Sequence, residues 1–425
     1  MRELINKGFK DLLHHKKEVG NTAILFSAQI LVLIIGLGIK TIQTRALSPA
    51  DYGLLALFGS ITSVLVLFFH YASFSSLKVL LANNENKKKE KEYFGLGILV
   101  ASFLGLLFTT SVFVISFFVD GFFEVEIGGI LRILSPFCFI LPFQFFISEI
   151  SVGANKLKKL AAFHLFSRLL FVFSLFAIWR GFGLDVQLII VLNLLSWTIS
   201  TFAILFSLKP SFSYIKENLK IVKAKNKSFG LAYYFGAIIN QSTYKLDELF
   251  ITYFVNITQL GFYTLASIIC SPMTFLSRAF VNSIFRKLAL KDRIPLRLFL
   301  YNSLWLGFCV LFLYQFSDFI VGTLFGKAYL QVSKYIFLLS IAFFFQGMYA
   351  PFSFLAVKSK GKELRNVAYA EAMVNVIGNL LLIPTAIIIM GSKEDGVFGA
   401  IIASILSRFT HFVGLWYYYN KMVKS

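Results

Sequence analysis

The chain has 425 residues, of which 57% are hydrophobic and 15% are charged, whereas soluble domains carry about 25% charged residues. This composition excludes an ordinary water-soluble domain, because apolar runs long enough to cross a bilayer as helices follow one another along the whole sequence. The formal net charge of +20 does not indicate a nucleic-acid partner, because the basic residues cluster in short segments between the apolar runs.

These runs predict an all-α polytopic membrane protein with twelve transmembrane helices. The predicted spans are 20–43, 52–80, 94–119, 129–152, 160–180, 186–208, 229–254, 260–284, 295–321, 335–357, 366–390 and 397–419. A basic linker at 209–228 separates two six-helix lobes, at 20–208 and 229–420. We expect a cytoplasmic amphipathic segment at 1–19 and a cytoplasmic tail at 421–425.

The distribution of Lys and Arg predicts the orientation of the chain. If the N-terminus is cytoplasmic, the predicted cytoplasmic segments hold 28 of the 41 Lys and Arg residues, and the outer loops hold five. Cytoplasmic loops of membrane proteins carry an excess of basic residues. We therefore expect both termini in the cytoplasm, and the even number of predicted spans agrees with this orientation.

The two halves of the chain show a weak internal repeat. TRALSPADYGLLALFGSI (44–61) and TYFVNITQLGFYTLASII (252–269) each lie between the first and second span of their half. The identical pairs are Thr44/Thr252, Gly53/Gly261, Leu57/Leu265 and Ile61/Ile269. With equal span counts and equal orientation of the halves, this match predicts a parallel repeat with a site between two bundles.

Charged residues within the spans are the candidate functional residues, because an Arg, Lys or Asp near the bilayer centre costs roughly 2.5–3.5 kcal/mol. The basic ones are Lys40, Lys78, Arg132, Arg168, Lys245, Arg278, Arg297 and Arg408, and the acidic ones are Glu149, Asp247, Glu248, Asp318 and Glu371. Those at span ends favour an interfacial or structural role. For Lys40, Lys78 and Arg278, snorkelling and cavity lining are equal alternatives.

Arg168 and Arg408 lie near the middle of their spans. His164 is one helical turn from Arg168, and Ser404 and His411 are each one turn from Arg408. One interpretation is a polar cavity wall or a proton relay. The other is a buried hydrogen-bonded network that locks the helices together.

The stretch STYKLDELF (242–250) places Lys245, Asp247 and Glu248 within an apolar span. Asn240, Gln241 and Tyr244 add polar side chains next to them. We expect the resulting polar stripe to face away from lipid and to form the wall of a cavity. One interpretation is an internal Lys–Glu salt bridge. The other is a wet central cavity in which the lysine binds an anionic group.

Five segments resemble the Wzx-type polysaccharide flippases of the multidrug/oligosaccharidyl-lipid/polysaccharide (MOP) exporter superfamily. They are TRALSPADYGLLAL (44–57), KLDELFITYFVNITQLGFYTLA (245–266), LFGKAY (324–329), NVIGNLLLIP (375–384) and GVFGAIIAS (396–404). No single segment is specific, but their order agrees with the layout of two six-helix halves. The resemblance covers most of the chain.

The resemblance implies a V-shaped, MATE-like transporter that alternates between inward-open and outward-open states. It implies flipping of a sugar or oligosaccharide on undecaprenyl diphosphate across the bacterial cytoplasmic membrane, for surface polysaccharides such as O-antigen or capsule. Membrane lipids, a polysaccharide polymerase and export machinery are the implied partners. The candidates for binding the anionic headgroup in the cavity follow from their places in the spans, and they are Lys40, Lys78, Lys245, Arg278, Arg168 and Arg408. The candidates for gating or ion coupling are Asp247, Glu248 and Glu371.

Other functions predict features that the sequence lacks. The sequence contains no nucleotide-binding loop, metalloprotease motif or catalytic triad, so we expect a protein that is not an enzyme and that needs no cofactor or metal. We expect the energy for transport to come from an H⁺ or Na⁺ gradient or from the membrane potential. A membrane glycosyltransferase would need a larger outer loop. The main alternative is an ion-coupled exporter of drugs or other small molecules from the same superfamily, which would favour acidic over basic residues in the spans. A purely structural scaffold would not explain the mid-span charges.

Overall fold

The computed structural model describes residues 30–69, 72–84, 86–181, 183–227, 238, 245–283, 293–358 and 360–424. These residues form helices joined by turns, with no β-strand among them. The all-α prediction is confirmed, as expected where the backbone has to satisfy its hydrogen bonds within each segment. The predicted N-terminal segment 1–19 lies outside the described residues.

The described part of the first half contains ten helices and one 3₁₀ segment, at Ser135–Ile140. They are α1 (30–46), α2 (Pro49–Phe68), α3 (Ala72–Ala82), α4 (Lys87–Ile115), α5 (Val119–Phe123), α6 (Gly128–Leu134), α7 (Leu141–Gly153), α8 (Leu157–Gly181), α9 (Val186–Leu208) and α10 (Ile215–Lys225).

The second half continues with eight described helices and three 3₁₀ segments, at Lys327–Val332, Ala350–Phe352 and Lys393–Asp395. They are α11 (245–254), α12 (Ile257–Cys270), α13 (Pro272–Ser283), α14 (Leu296–Leu324), α15 (Ser333–Gly347), α16 (Ser353–Val357), α17 (Gly361–Met390) and α18 (Gly396–Lys424).

Nine helical segments of the described chain are long and apolar enough to cross a membrane. The protein is therefore a multi-pass membrane protein, and the total of twelve spans stays a prediction. The predicted span 186–208 coincides with α9, whereas the predicted span 52–80 is divided between α2 and α3. The predicted linker 209–228 contains the helix α10.

The first residues of α2 and α12 show the internal repeat in the structure. α2 begins at Pro49 and α12 at Ile257, which preserves the 208-residue offset of the sequence match. Ser48 and Asn256 precede them, and each side-chain oxygen accepts a hydrogen bond from the backbone N–H three residues later, at 3.2 and 2.9 Å. Such N-caps satisfy donors that a helix start leaves open. Equivalent caps therefore set equivalent helix starts in the two halves.

The chain forms two compact units. The first consists of described residues within Met1–Ile42, Phe69–Phe113 and Ile133–Tyr234, and the second of those within Gln43–Phe68, Val114–Arg132 and Phe235–Ser425. The second unit thus takes in α2 and the 114–132 segment from the first half of the chain. The predicted lobes at 20–208 and 229–420 stay a prediction.

The first unit is built around buried phenylalanines. The rings of Phe74 and Phe146 lie 5.6 Å apart between α3 and α7, and both side chains are fully buried. Gly97 of α4 lets the ring of Phe146 approach, since a Cβ atom at this glycine would overlap it. Close approach at small residues is how membrane helices gain packing energy in the absence of water.

Candidate functional site

The second unit contains a chain of buried polar contacts that begins on α11. Lys245 Nζ lies 2.7 Å from Glu248 Oε1, and the Ser60 hydroxyl of α2 donates to the other oxygen of Glu248. The Lys245 side chain is 38% exposed, whereas that of Glu248 is 8% exposed. The internal ion pair, one of the two sequence interpretations, is therefore formed, while a large part of the lysine surface stays accessible.

Asp247 is 1% exposed and accepts four hydrogen bonds from neutral side chains. Asn375 and Asn379 of α17 donate to Oδ1, at 2.9 and 2.7 Å. Tyr263 of α12 and Ser404 of α18 donate to Oδ2, at 3.0 and 2.6 Å. Two carboxylate oxygens offer about four acceptor sites. The carboxylate is thus fully coordinated by donors, and it joins α11 to three other helices.

Small residues bring the donors of α17 and α18 within reach of Asp247. A Cβ atom at Gly399 of α18 would overlap the Leu382 carbonyl of α17, and one at Gly378 would lie 3.0 Å from the Ala403 side chain. Backbones this close allow short side chains to meet between helices. The positions of the Asn and Ser donors therefore depend on the glycines of the α17–α18 contact.

A second carboxylate, Glu371 of α17, lies in the same unit and is 2% exposed. His411 of α18 approaches it with Nδ1 2.5 Å from Oε2. The Tyr349 hydroxyl lies within hydrogen-bond distance of Glu371 Oε1, at 3.1 Å, and of the Arg408 carbonyl, at 3.0 Å. The tyrosine ring stacks on the imidazole at 4.1 Å. Glu371 thus has an ionisable partner, unlike Asp247 with its neutral donors.

Arg408 lies between the two carboxylate sites along α18. It is 5% exposed, and its guanidinium carbon lies 4.3 Å from the centre of the Phe343 ring. Ser404 bonds Asp247 one turn before it, and His411 bonds Glu371 one turn after it. One face of α18 therefore connects both buried carboxylates, which agrees with the buried-network interpretation of this helix.

The predicted cations of the first unit have different surroundings. Lys78 of α3 forms an ion pair with Glu149 of α7, with Nζ 3.2 Å from Oε2. Arg168 of α8 is half-buried, and its guanidinium carbon lies 5.9 Å from the Trp197 ring centre. Lys40 is half-buried on α1. Their assignment to a substrate cavity stays a prediction.

The remaining predicted residues fall on or near α13 and α11. Arg278 is exposed, and it donates to the Thr274 carbonyl and hydroxyl of its own helix, at 3.4 and 3.1 Å. This local contact agrees with either of its two sequence interpretations. The predicted cavity-wall residues Asn240, Gln241 and Tyr244 lie outside the described residues.

The structure adds residues whose roles the sequence did not assign. Ser60 and Tyr349 bond to Glu248 and Glu371 but lie in apolar helices or turns with no pattern that marks them. The partners of Asp247 left a weak signal: a polar pair one helical turn apart on α17 and a serine one turn from an arginine on α18. Among the described residues, no group of three or more His, Cys, Asp or Glu could hold a metal ion.

A family model described as "Polysaccharide biosynthesis protein" matches residues 19–286. The chain belongs to this family. The match covers more than half of the 425 residues and includes α11 with Asp247 and its partner Tyr263. Membership in the polysaccharide biosynthesis family confirms the resemblance seen in the sequence. No curated protein matches the chain in a sequence comparison.

Solved structures show that this family member has the fold of MOP superfamily transporters. An inward-facing multidrug resistance MATE family transporter aligns with a TM-score of 0.71 at 12% identity, over 95% of this chain and 99% of that one. The lipid II flippase MurJ, in an inward closed conformation, aligns with a TM-score of 0.67 at 15% identity, over 94% and 90%. A mutant of the Vibrio cholerae MATE transporter VcmN gives 0.60 at 11% identity, over 96% and 100%. The MATE-like fold is therefore confirmed.

Proposed function

We propose that this protein is a flippase for lipid-linked saccharides. It moves a sugar or oligosaccharide on undecaprenyl diphosphate from the cytoplasmic to the outer leaflet of the bacterial cytoplasmic membrane, by alternating access. The observation that carries this proposal is a polysaccharide-biosynthesis family match over residues 19–286 in a chain of apolar helices with buried charges. A polysaccharide polymerase and export machinery would then use the flipped product.

The physical problem for such a protein is the diphosphate. The headgroup is multiply negative and strongly hydrated, so it crosses the bilayer only along a shielded path with fixed cations, while the prenyl tail stays in lipid. Lys245 suits this role because its side chain is 38% exposed although its ammonium is bonded to Glu248. In our proposal, the diphosphate displaces Glu248 from Lys245, and Glu248 keeps its bond from Ser60.

The other basic residues would act on the same headgroup at other stages. Lys78 is paired with Glu149 in a similar way, so a diphosphate could exchange with that carboxylate as well. Arg168, Lys40 and Arg278 are candidates by position in their spans. An ion pair at rest keeps each lysine from being a lone charge in a low-dielectric site, and a stronger anion then replaces the carboxylate.

A second candidate function is ion-coupled export of cationic small molecules. One observation favours it: the described part of the second unit buries the three carboxylates of Asp247, Glu248 and Glu371. Each of them, however, already accepts hydrogen bonds from protein groups. These carboxylates are also at most 6% exposed, whereas the Lys245 side chain is 38% exposed, so we prefer the flippase.

The proposal is tested by mass spectrometry of prenyl-linked lipids from cells with and without the protein. An impermeant glycosidase or oxidant reports which side of the membrane the sugar occupies. Flipping predicts that a lipid-linked saccharide accumulates on the cytoplasmic face when the protein is absent, and its mass identifies the sugar. If surface polysaccharide is still made and no such lipid accumulates, the flippase proposal is wrong and small-molecule export becomes the better one.

A further inference from the structure

Three basic segments of the first unit, far apart in the sequence, come together in the structure. They are 86–92 at the start of α4, 154–159 at the start of α8 and 209–227 after the end of α9. Together they hold thirteen lysines and three glutamates, which gives a formal net charge of +10. All three lie on the predicted cytoplasmic side, and we call the lysine-bearing surface that they form the basic face.

Specific contacts hold the three segments against one another. Lys156 Nζ lies 2.8 Å from Glu90 Oε1, which joins the start of α8 to the start of α4. The Ser211 N–H donates to the Lys91 carbonyl at 2.9 Å, which joins the turn after α9 to the same place. A Cβ atom at Gly95 of α4 would overlap the Ser211 carbonyl, so the two backbones meet there directly. The basic face is therefore one surface and not three separate loops.

The helix α10 is docked through one of its faces. Asn218 Nδ2 donates to Glu92 Oε2 at 3.2 Å, and Asn226 Nδ2, just beyond the helix, donates to the Ser73 hydroxyl of α3 at 2.9 Å. Asn218 and Val222, which lie one helical turn apart, are fully buried. These contacts fix which side of α10 is turned away from the protein.

The exposed side of α10 and of the two residues after it carries a stripe of lysines. Spacings of four, three and four residues place them on one helix face, and they are Lys216, Lys220, Lys223 and Lys227. Five further lysines of the basic face are exposed as well. Two of its three glutamates, Glu90 and Glu92, are paired with lysines. The basic face therefore presents mainly positive charge to its surroundings.

Large aromatic side chains are exposed next to these lysines. Phe206, in the last turn of α9, is 78% exposed and lies three residues before Lys209. Phe212 and Tyr214, in the turn between α9 and α10, are 52% and 59% exposed. Since α9 is long and apolar enough to cross the membrane, its exposed phenylalanine faces lipid, and the lysines that follow lie near the level of the headgroups.

The position of the aromatic side chains favours lipid headgroups over a soluble polyanion as the partner of these charges. A soluble polyanion would recognise the lysines but would leave Phe212 and Tyr214 in water. Anionic phospholipid offers both a negative headgroup for the ammonium groups and an apolar layer for the rings. Clusters of about four to eight basic residues on an amphipathic helix beside a membrane span are a known pattern for binding anionic lipids.

We propose that the basic face is a binding surface for anionic phospholipids of the leaflet that it borders, with α10 as its main contact. Lys216, Lys220 and Lys223 bind the phosphate groups, and Phe212 and Tyr214 enter the boundary between headgroups and acyl chains. The inference goes beyond the proposed function and does not depend on it, because it concerns the lipid around the protein and not the molecule that is transported.

The test reports which lipid lies beside α10 in the full-length protein. Ala224→Cys, in a Cys309→Ser background, places a fluorophore on the exposed side of this helix. The labelled protein is placed in phosphatidylcholine nanodiscs that contain nitroxide-labelled phosphatidylglycerol or nitroxide-labelled phosphatidylcholine at the same mole fraction. We expect stronger quenching by phosphatidylglycerol, and the difference should decrease at high salt because salt screens the charges.

A second label controls for general contact with lipid. Ser392→Cys carries the same fluorophore on the exposed connection between α17 and α18, where we expect equal quenching by the two lipids. Equal quenching at position 224 in the otherwise unchanged protein would overturn the proposal. If poly-glutamate then bound to the same face, an acidic protein would replace the lipid as the partner.

A matched pair of triple variants assigns the lipid preference to α10. Lys216→Gln, Lys220→Gln and Lys223→Gln together should lower the preference for phosphatidylglycerol by about 10-fold or more. The control variant removes the same charge from exposed sites of the second unit, through Lys327→Gln, Lys334→Gln and Lys393→Gln, and should keep the preference. Equal preferences in the two variants would overturn the proposal. Both should unfold at the wild-type temperature in neutral detergent, since only exposed side chains are changed.

Discussion

Gly53 of α2 and Gly261 of α12 pack directly against each other. A Cβ atom on Gly261 would lie 3.2 Å from the Gly53 backbone nitrogen, and one on Gly53 would collide with the Ile257 carbonyl. The two glycines are equivalent positions of the internal repeat. The helices α2 and α12 therefore contact each other at equivalent positions of the sequence match.

Substitution of Gly53 tests this contact. Gly53→Ala should destabilise the protein by about 1–3 kcal/mol, because the new methyl group has to displace backbone atoms of α12. The measurement is the midpoint of thermal unfolding in detergent. Gly59→Ala is the matched control, since it lies on the same helix with open space around its Cβ position and should be neutral or slightly stabilising. Equal unfolding midpoints for the two variants would show that the close contact between α2 and α12 at Gly53 does not contribute to stability.

Removal of the Asp247 charge should be costly for the fold. Asp247→Asn replaces an acceptor of four hydrogen bonds by a group with one acceptor oxygen, and it leaves buried donors without a partner. We expect a loss of about 3 kcal/mol. Ser404→Ala removes a single donor and should cost about 1 kcal/mol. Chemical or thermal unfolding of both variants gives the comparison. A milder effect of Asp247→Asn than of Ser404→Ala would contradict the structural role of the carboxylate.

The role of Lys245 can be separated from that of its salt bridge. Lys245→Ala should abolish transport and leave the protein folded, because it removes the cation proposed to bind the diphosphate. The exposed Lys334→Ala is the control and should retain transport. The exchange of the pair, Lys245→Glu with Glu248→Lys, restores an ion pair in reversed order. Transport by the exchanged variant would mean that the bridge, rather than a cation at position 245, is what matters.

The predicted orientation places both termini in the cytoplasm and the α17–α18 connection outside. Single cysteines at the exposed Ser392 and Lys421, in a Cys309→Ser background, test this arrangement. Cys138 and Cys270 are buried and should react little. An impermeant maleimide applied to intact cells should label Ser392→Cys, and Lys421→Cys should be labelled only after lysis. The reverse pattern would invert the topology and place the basic loops outside.

Most of the fold can be predicted from the lengths of the apolar runs in the sequence. The span 186–208 was predicted to the residue, because α9 is bounded by an Asp185 N-cap and by a left-handed residue at Lys209, both outside the apolar run. The predicted span 52–80 covers α2, α3 and residues 70–71, which lie outside the described residues. The helix α10 was missed, because its many lysines obscured the buried Asn218 and Val222 that dock it.

The sequence predicts the charged residues of the candidate site but not their hydrogen-bond partners. A charge within a span is costly, so Asp247, Glu248, Glu371 and Arg408 could be singled out from the sequence alone. Their partners could not be, because a serine or tyrosine in an apolar helix costs little and is common. The contacts also join residues far apart along the chain, and the sequence of a single protein contains no signal for such pairs. The sequence therefore leaves both interpretations of Lys245 open, and the 2.7 Å distance to Glu248 shows that the ion pair is formed.

The coordination of Asp247 has a consequence for how the protein is made. Its donor Asn375 lies 128 residues further along the chain, and Ser404 lies 157 residues further. At roughly 5–20 residues per second, α11 is synthesised on the order of 10 s before these partners exist. During that interval the carboxylate has no protein donors from α17 or α18, at an insertion cost of roughly 2.5–3.5 kcal/mol if it lies near the bilayer centre. Asp247 thus gains its full set of donors only when α17 and α18 have been made, so these two helices are required for biogenesis as well as for the finished structure.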